Sequence, residues 1–409
     1  MSSNIDNYAP EENIVIEFCE VTDIDAVISA LKLILSGASI LIILSLSHPY
    51  GVNKDIISYE KAMKYLIDNN VDLKDYDTEF NKLVPNDTTG YSYSTEYDRL
   101  ETTKYIVYMF KSLFEKYKKS DKQQFFIRYE SDEGIPFINQ RNPFGFIWKG
   151  EHKFVLDILN NLNIKVTEMP VINNSPNFKD FRQIYLHLSG SCSVMNIDPL
   201  FVYKIFEDYS KIKMLSIMGG VDSIDQPRTL KIPGIVRGPF STMNQCYSSS
   251  SFEKLVEIVS NIDTIQKVVI TNNIVNQIAS YVDLDKESFI NFIIVGVLKL
   301  ELNLQNNIDT MLYELINNYY QEDKKFLWKL FDAVSAKPIY DDIKNNRNTV
   351  LVPNARLFTE GNYGNTIVDK YSVNNLEQKL LIIDKKIDDG FIVDVHVPSY
   401  DVNDWFMDI

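Results

Sequence analysis

The chain has 409 residues, 45% of them hydrophobic and 24% charged, which is the composition of a globular protein long enough to bury a large core. Its 41 lysines and arginines are outnumbered by 56 aspartates and glutamates, so the net charge is −15 and repels phosphate backbones and anionic lipids. Polymeric nucleic acid and membranes are therefore not expected as partners.

The cysteines and the N-terminus indicate a reducing intracellular compartment. Cys19, Cys192 and Cys246 form neither a Cys-x-x-Cys pair nor an even disulfide framework. The polar residues at the N-terminus lack the basic region and the cleavage site of a secretory signal. Residues 26–46 are apolar enough to suggest a membrane span, but Lys32 and a Ser-Gly-Ala-Ser break interrupt them. We therefore expect a cytoplasmic protein that is not secreted.

The N-terminal region has the pattern of a strand, an acidic turn, a helix and a second strand. In order, these elements are predicted at residues 14–18, 20–25, 26–35 and 40–46. A strand buried on both faces and followed by a crossover helix is typical of a parallel sheet. Because ligands of such sheets bind beyond the carboxyl ends of the strands, we expect Glu20, Asp23 and Asp25 to face a ligand crevice.

The same alternation continues along the chain. Apolar strands that run into polar turns are predicted at residues 184–188, 214–218 and 268–270. Helical patterns are predicted at residues 201–209, 251–260 and 287–330. Two late strands and a short helix are predicted at residues 365–368, 390–397 and 401–407. The sequence therefore predicts an α/β fold with a mainly parallel central sheet covered by helices on both faces.

We expect this fold to form one domain over residues 1–409. No internal repeat, low-complexity linker or sharp change of composition divides the chain. The polar stretch at residues 68–103 is predicted to be a surface insertion within the domain, followed by the start of a helix.

Several common catalytic motifs are absent from the sequence. Neither G-x-x-x-x-G-K-[ST] nor G-x-G-x-x-G occurs, which argues against nucleotide hydrolases and dehydrogenases, and no G-x-S-x-G elbow is present. His187 lies in an apolar strand pattern, where we expect a structural histidine rather than a ligand. Carboxylates near strand ends remain, in the turn at 20–25 and at Asp341 and Asp342. Such oxygen ligands suit Ca²⁺ or Mg²⁺, and a solvated acidic turn is the alternative.

Five segments, taken in order, carry a family resemblance. They are IVIEFCEVTDIDA at 14–26, IYLHLSGSCSVMN at 184–196, KIKMLSIMGGV at 211–221, PFSTMN at 239–244 and KPIYD at 337–341. The chain resembles the inosine-uridine preferring nucleoside hydrolase family, and the stretch YGNTIVDKY at 363–371 continues the resemblance. The resemblance implies a nucleoside hydrolase-like fold and hydrolysis of the N-ribosyl bond of a ribonucleoside at a Ca²⁺-carboxylate site.

The resemblance also implies roles for individual residues. Glu20 matches a residue that binds the metal and activates water, while Asp25, Asp341 and the backbone of Ser193 match further calcium ligands. Tyr340 occupies the place of a histidine proposed to protonate the leaving base. The residues implied for binding the nucleoside are Thr242, Met243 and Asn244.

Several positions depart from the family pattern, mainly where ribose is held. Ile24 and Thr242 replace carboxylates that bind ribose hydroxyls, and Val236 stands about where an asparagine is expected. A tyrosine in place of the histidine, with an ordinary pKa of about 10, is a poorer acid at neutral pH than an imidazolium. We therefore expect weakened Ca²⁺ binding and slow or absent hydrolysis.

Two functions from different classes stay open at this point. The first is an N-ribohydrolase, impaired or altered, that takes a small-molecule nucleoside and Ca²⁺. The second is a non-catalytic binding, scaffold or virion protein that keeps the nucleoside hydrolase fold. A homo-oligomer is compatible with both functions.

Overall fold

The described part of the chain forms ten strands that belong to one sheet. The structure, a computed structural model, describes residues 10–19, 21, 23–45, 96–130, 151–167, 176–188, 209–219, 221–222, 262–270, 285–319, 330–345, 351–360, 365–369 and 391–396. In chain order, the strands are β1 (Asn13–Cys19), β2 (Ser39–Ser45), β3 (Phe125–Glu130), β4 (Gln183–Leu188), β5 (Ile212–Met218), β6 (Val221–Asp222), β7 (Gln266–Ile270), β8 (Leu351–Glu360), β9 (Asn365–Asp369) and β10 (Phe391–His396).

The centre of the sheet is entirely parallel. Strands β3, β2, β1, β4, β5 and β7 lie side by side in that order, and each pairs in parallel with its neighbours. Strand β10 continues parallel to β7, whereas β8 is antiparallel to both β10 and β9. The predicted α/β fold with a mainly parallel sheet is thereby confirmed. After β1, the chain places β2 and then β3 on one side of β1. It then places β4, β5 and β7 on the other side, so the direction in which strands are added reverses between β1 and β4.

Helices lie between and beside these strands. Their bounds are α1 (Ile24–Ile34), α2 (Glu96–Tyr117), α3 (Glu151–Asn161), α4 (Lys286–Asn291), α5 (Asn307–Tyr319) and α6 (Phe331–Lys344). A π-helical segment, Phe292–Val297, follows α4 directly. None of the helices in the described ranges is both long and apolar enough to cross a bilayer.

Helices α1 and α6 pack against each other and against the sheet. Asp25, near the start of α1, accepts a hydrogen bond from the backbone of Asp332, near the start of α6. Lys32, near the end of α1, lies with its Nζ 4.3 Å from the ring centroid of Tyr340, near the end of α6. The two helices therefore run parallel, from the carboxyl edge of the sheet, where β1 ends, to the amino edge, where β2 begins.

The core is built around strand β1. All seven of its residues are buried, and they point alternately to opposite faces, so both faces of the sheet are covered at this strand. All eleven residues of α1 are buried as well, because the helix packs against the sheet and against α6, α2 and α5. A helix enclosed in this way is apolar nearly all round, which explains why its sequence resembled a broken membrane span.

Most predicted strands agree with the structure, but two predictions need correction. The expected surface insertion at 68–103 overlaps α2, which starts at Glu96 and buries Thr102 and Thr103 completely; residues 68–95 lie outside the described ranges. The predicted helix at 287–330 is interrupted after the π-helical segment. The Asn306 side chain accepts the Ile308 backbone N–H and starts α5 afresh, since asparagine favours helix caps over helix interiors.

Some predicted elements are not tested, and others were not foreseen. The predicted helices at 251–260 and 401–407, and all but the last residue of the one at 201–209, lie outside the described residues. Strands β3 and β8 were not predicted. The first has charged residues within a short apolar run, and the second contains a proline, so neither has a clean strand pattern.

Candidate functional site

The candidate site lies at the carboxyl edge of the sheet, beside the reversal of strand order between β1 and β4. In open parallel sheets this point is where ligands bind, because the connections leave it to opposite sides and open a crevice. Helix α1 starts here, immediately after β1. Asp23 caps the helix, and its carboxylate accepts the backbone N–H of Asp25 at 3.1 Å.

Asp25 joins α1 to the start of α6. Its carboxylate oxygens accept the backbone N–H groups of Asp332 at 2.8 Å and Ala333 at 3.2 Å. The first N–H groups of a helix have no partner within the helix, and the N-terminal end of the dipole favours a negative charge. Asp25 therefore holds α6 in place, and it brings the backbone of Asp332 to the carboxyl edge.

Asp341 does not lie beside Asp25, which corrects its expected position. Asp341 is nine residues beyond Asp332 on the same helix, so at about 1.5 Å per residue its backbone lies about 13 Å further along the axis. Oxygen ligands of one Ca²⁺ lie within about 2.3–2.6 Å of the ion, so Asp25 and Asp341 do not share a cation in this arrangement. Asp341 instead forms a nearly buried ion pair with Lys337, at 2.7 Å.

Tyr340 shares this location at the amino edge. Its ring faces the Nζ of Lys32 at 4.3 Å and the Nζ of Lys344 at 5.7 Å. The proposed proton donor is therefore at the opposite edge of the sheet from Asp23 and Asp25. The aspartate of α6 whose backbone lies near Asp25 is Asp332, with an exposed fraction of only 2%.

The remaining predicted site residues are not tested by the structure. Glu20, Ser193, Thr242, Met243 and Asn244 all lie outside the described residues. Among the ranges that the structure does describe, no group of three or more His, Cys, Asp or Glu side chains has the arrangement of a metal site. Ca²⁺ binding and nucleoside binding therefore stay predictions.

The acidic side chains at this edge are only partly compatible with a cation. Burial raises the pKa of Asp23, so this carboxyl holds its proton more strongly than a solvated aspartate does. Asp25 already accepts two N–H groups, but each carboxylate oxygen has a second lone pair that a hard cation can use. Asp25 and Asp332 thus carry the oxygen ligands that Ca²⁺ prefers. The N-terminal end of α6 already compensates part of the negative charge of Asp25.

A second polar cluster lies in the core, directly below this edge. The His187 Nδ1 pairs with the Glu17 carboxylate, and its Nε2 lies 2.7 Å from the Ser335 hydroxyl. The Ser29 hydroxyl donates to Glu17 at 3.1 Å. The cluster joins strands β1 and β4 to helices α1 and α6. The side chains of Glu17 and His187 are completely buried.

This cluster has the connectivity of a serine hydrolase triad but not its accessibility. Ser335 is also fully buried, so no substrate carbonyl can reach its hydroxyl. The Ser335 hydroxyl also lies 2.9 Å from the Asp332 carbonyl, to which it can only donate. When it does so, a lone pair of the Ser335 oxygen remains to accept a hydrogen bond from His187 Nε2. His187 is thus a structural histidine, as the sequence predicted, and the cluster links the two helices to the sheet.

A charged residue in the middle of an apolar strand was the available sequence signal for this cluster. Glu17 stands between Ile16 and Phe18 in a strand that is buried on both faces, so it needs a buried partner. The sequence does not identify that partner, because β1 and β4 are far apart in the chain.

No protein-family model and no curated protein matches this chain. Function is therefore inferred from the carboxyl edge itself.

Proposed function

We propose that the chain is a nucleoside hydrolase-like protein that binds a hard cation, with Ca²⁺ the first candidate, and a ribonucleoside at the carboxyl edge, and that it hydrolyses the N-ribosyl bond slowly or not at all. The supporting observation is that Asp23 and Asp25, at the start of α1, and the backbone of Asp332, at the start of α6, lie in contact at the point where the strand order reverses. This is the location that the family resemblance requires for a carboxylate site.

In this proposal Asp332 takes the role that the sequence assigned to Asp341. The contact of its backbone with Asp25 supports the exchange, as does its place at the start of α6. The resemblance puts the proton donor immediately before the late aspartate. That position is then Phe331 instead of Tyr340. A phenyl ring has no proton to give to a leaving base, so the proposal implies a greater loss of acid catalysis.

Ribose binding is weakened in the same region. Ile24 is the first residue of α1 and is 93% buried, with an exposed fraction of 7%. It replaces a carboxylate that, by the resemblance, accepts hydrogen bonds from ribose hydroxyls. Hydrogen bonds to charged groups contribute about 1.5–3 kcal/mol each, so this change alone weakens binding by about one to two decades.

The alternative is a non-catalytic binding or scaffold protein that keeps the fold. The capture of both Asp25 oxygens by α6 favours it, because a carboxylate that holds a helix start contributes to stability without any ligand. The two proposals differ in what the carboxyl edge binds. A hydrolase-like protein takes up Ca²⁺ and nucleoside there, whereas a scaffold takes up neither.

Calcium titration by calorimetry tests the proposal, with Asp332→Asn compared against Asp341→Asn. Both substitutions remove one nearly buried carboxylate from the same helix and keep the side-chain shape. We expect weak Ca²⁺ binding that Asp332→Asn abolishes and Asp341→Asn leaves unchanged. Loss of binding in Asp341→Asn alone would restore the sequence-based assignment, and no Ca²⁺ uptake by the wild type would favour the scaffold.

Nucleoside turnover is the second measurement. Inosine, uridine, adenosine and guanosine are incubated with the wild type and Ca²⁺, and release of the free base is followed. We expect turnover at or near background. Robust turnover that Asp25→Ala or Glu20→Ala abolishes would contradict the proposed impairment and identify an active hydrolase.

A further inference from the structure

Helix α6 begins without a capping side chain of its own. The residue before it, Leu330, has a left-handed backbone with φ of +36°, and its side chain forms no capping hydrogen bond. Serine, threonine, aspartate and asparagine are favoured there, because their side-chain oxygens accept the unpaired N–H groups of a helix start. A leucine with positive φ is also strained, since its Cβ crowds the backbone. The geometry of this first turn therefore depends on residues other than the cap.

The backbone of Asp332, in this first turn, is held from two directions. Its N–H donates to the Asp25 carboxylate at 2.8 Å. Its carbonyl oxygen accepts the Ser335 hydroxyl at 2.9 Å. Asp25 belongs to the proposed cation site, whereas Ser335 belongs to the buried cluster around His187. The backbone of Asp332 thus connects the site to the cluster.

Ser335 is itself fixed by two central strands of the sheet. Its hydroxyl lies 2.7 Å from the Nε2 of His187, on β4, and its carbonyl accepts the Ser216 hydroxyl, on β5, at 2.5 Å. Ser335 and His187 are fully buried, and Ser216 is 1% exposed. Buried hydrogen bonds of this kind are costly to break, because the groups left behind would lose their partners away from water. The sheet therefore sets where the Ser335 hydroxyl meets Asp332.

Proteins hold metal ligands in a similar way. Residues that hydrogen-bond to a ligand residue fix its orientation, and their substitution typically weakens metal binding about 10- to 100-fold. The ligand candidates Asp25 and Asp332 meet through the Asp332 N–H, so a shift of this backbone changes their relative position. The hydroxyl of Ser335 ties the other end of the same residue to the sheet.

We propose that Ser335 is a positioning residue of the cation site at the carboxyl edge. Its hydroxyl is buried and engaged by His187 and Asp332, so it acts through the backbone of Asp332 rather than on the cation. This role rests on the proposed function, because Asp25 and Asp332 are taken as the cation ligands. A purely structural Ser335 would change the stability of the fold and leave the Ca²⁺ affinity of the folded protein unchanged.

Calorimetric Ca²⁺ titration of Ser335→Ala and Ser29→Ala tests the proposal. Each variant loses one fully buried hydroxyl from the same cluster, but the Ser29 hydroxyl contacts Glu17 and His187 instead of α6. We expect Ser335→Ala to weaken Ca²⁺ binding about tenfold or more and Ser29→Ala to leave it unchanged. Wild-type affinity in Ser335→Ala, or equal weakening in both variants, would overturn the proposal.

A variant that is destabilised elsewhere separates positioning from stability. Lys116→Met removes one partner of the ion pair with the buried Asp309, which joins α2 to α5. We expect this variant to have a lower Tm than the wild type and the same Ca²⁺ affinity. Weakened Ca²⁺ binding in Lys116→Met, to the extent seen in Ser335→Ala, would mean that affinity follows general stability, and Ser335 would lose its assigned role.

Hydrogen exchange of the metal-free protein is a readout that does not depend on Ca²⁺. We expect the Asp332 and Ala333 amides to exchange about two- to tenfold faster in Ser335→Ala, the factor that one ordinary hydrogen bond contributes, and at the wild-type rate in Ser29→Ala. Mass spectrometry of peptides that cover residues 330–336 measures these rates. Unchanged exchange in Ser335→Ala would contradict the assignment. If the wild type takes up no Ca²⁺, the proposed function fails, and the exchange rates alone decide whether Ser335 fixes this turn.

Discussion

Replacement of His187 by leucine tests the role of the buried cluster most directly. The leucine fills most of the imidazole volume but leaves the Glu17 carboxylate buried without the imidazole that now faces it. Removal of one partner from a buried ion pair typically costs about 3–5 kcal/mol. With an unfolding entropy of about 2.1 cal/mol/K per residue, or about 0.9 kcal/mol/K for this chain, the expected fall in Tm is about 3–6 °C.

The double variant Glu17→Leu with His187→Leu separates the pair from simple packing. Once both polar groups are gone, no buried charge is left behind, so we expect the double variant to be less destabilised than the sum of the two single variants. A coupling free energy of about 2 kcal/mol is typical for residues in one such network. Calorimetric Tm values of the wild type, both singles and the double provide the measurement. A fall of less than about 1 °C for His187→Leu, or strict additivity, would refute the reasoning.

Three further predictions follow from the helix contacts. Asp25→Ala removes the acceptor of two N–H groups at the start of α6 and is expected to cost about 2–3 kcal/mol, measured as a lower Tm. Burial raises the pKa of Asp23 above 3.8, so the wild type loses stability as the pH rises from 3.8 through the raised pKa. Asp23→Asn keeps the helix cap but carries no ionisable group. The variant should therefore be more stable than the wild type at pH values above this range, and it should gain no stability below the range. Burial, followed by the charge of Asp342, raises the pKa of Tyr185, which donates to Asp342 at 2.6 Å. Tyr185→Phe should therefore cost about 1–2 kcal/mol at neutral pH yet lose less stability than the wild type above about pH 10, as thermal melts across pH would record. An unchanged Tm in Asp25→Ala, or parallel pH profiles for the other two variants and the wild type, would contradict these expectations.

The parallel sheet could be predicted because a strand that is buried on both faces is apolar along nearly its whole length, and this pattern is visible within each strand alone. The apolar runs that became β1, β2, β4 and β5 stand out from their polar surroundings, and the helix between the first two has its own cap residue, Asp23. These signals are local, so one sequence is enough. The strand order is not local, and only the pairing of β1 with both β2 and β4 reveals the reversal that locates the candidate site.

The late carboxylate could not be assigned from the sequence because helix α6 offers two similar choices. Phe331-Asp332 and Tyr340-Asp341 are both an aromatic residue followed by aspartate, and both have a buried aspartate. Which of them meets α1 depends on the register between two helices from opposite ends of the chain. A capping contact from Asp25 sets that register, and no periodicity within either helix encodes it.

The pairing of α1 with α6 also has a consequence during synthesis. Asp25 and Asp332 are separated by 307 positions, so the ribosome works for about 15–60 s after making the first before it adds the second. Throughout that interval the nascent chain carries an apolar helix, α1, whose neighbour α6 has not yet been made. The early strands must then wait, either held by a chaperone or in a loose collapsed state, for the last third of the chain to emerge. Truncation upstream of α6 should therefore yield an aggregating fragment rather than a smaller stable domain.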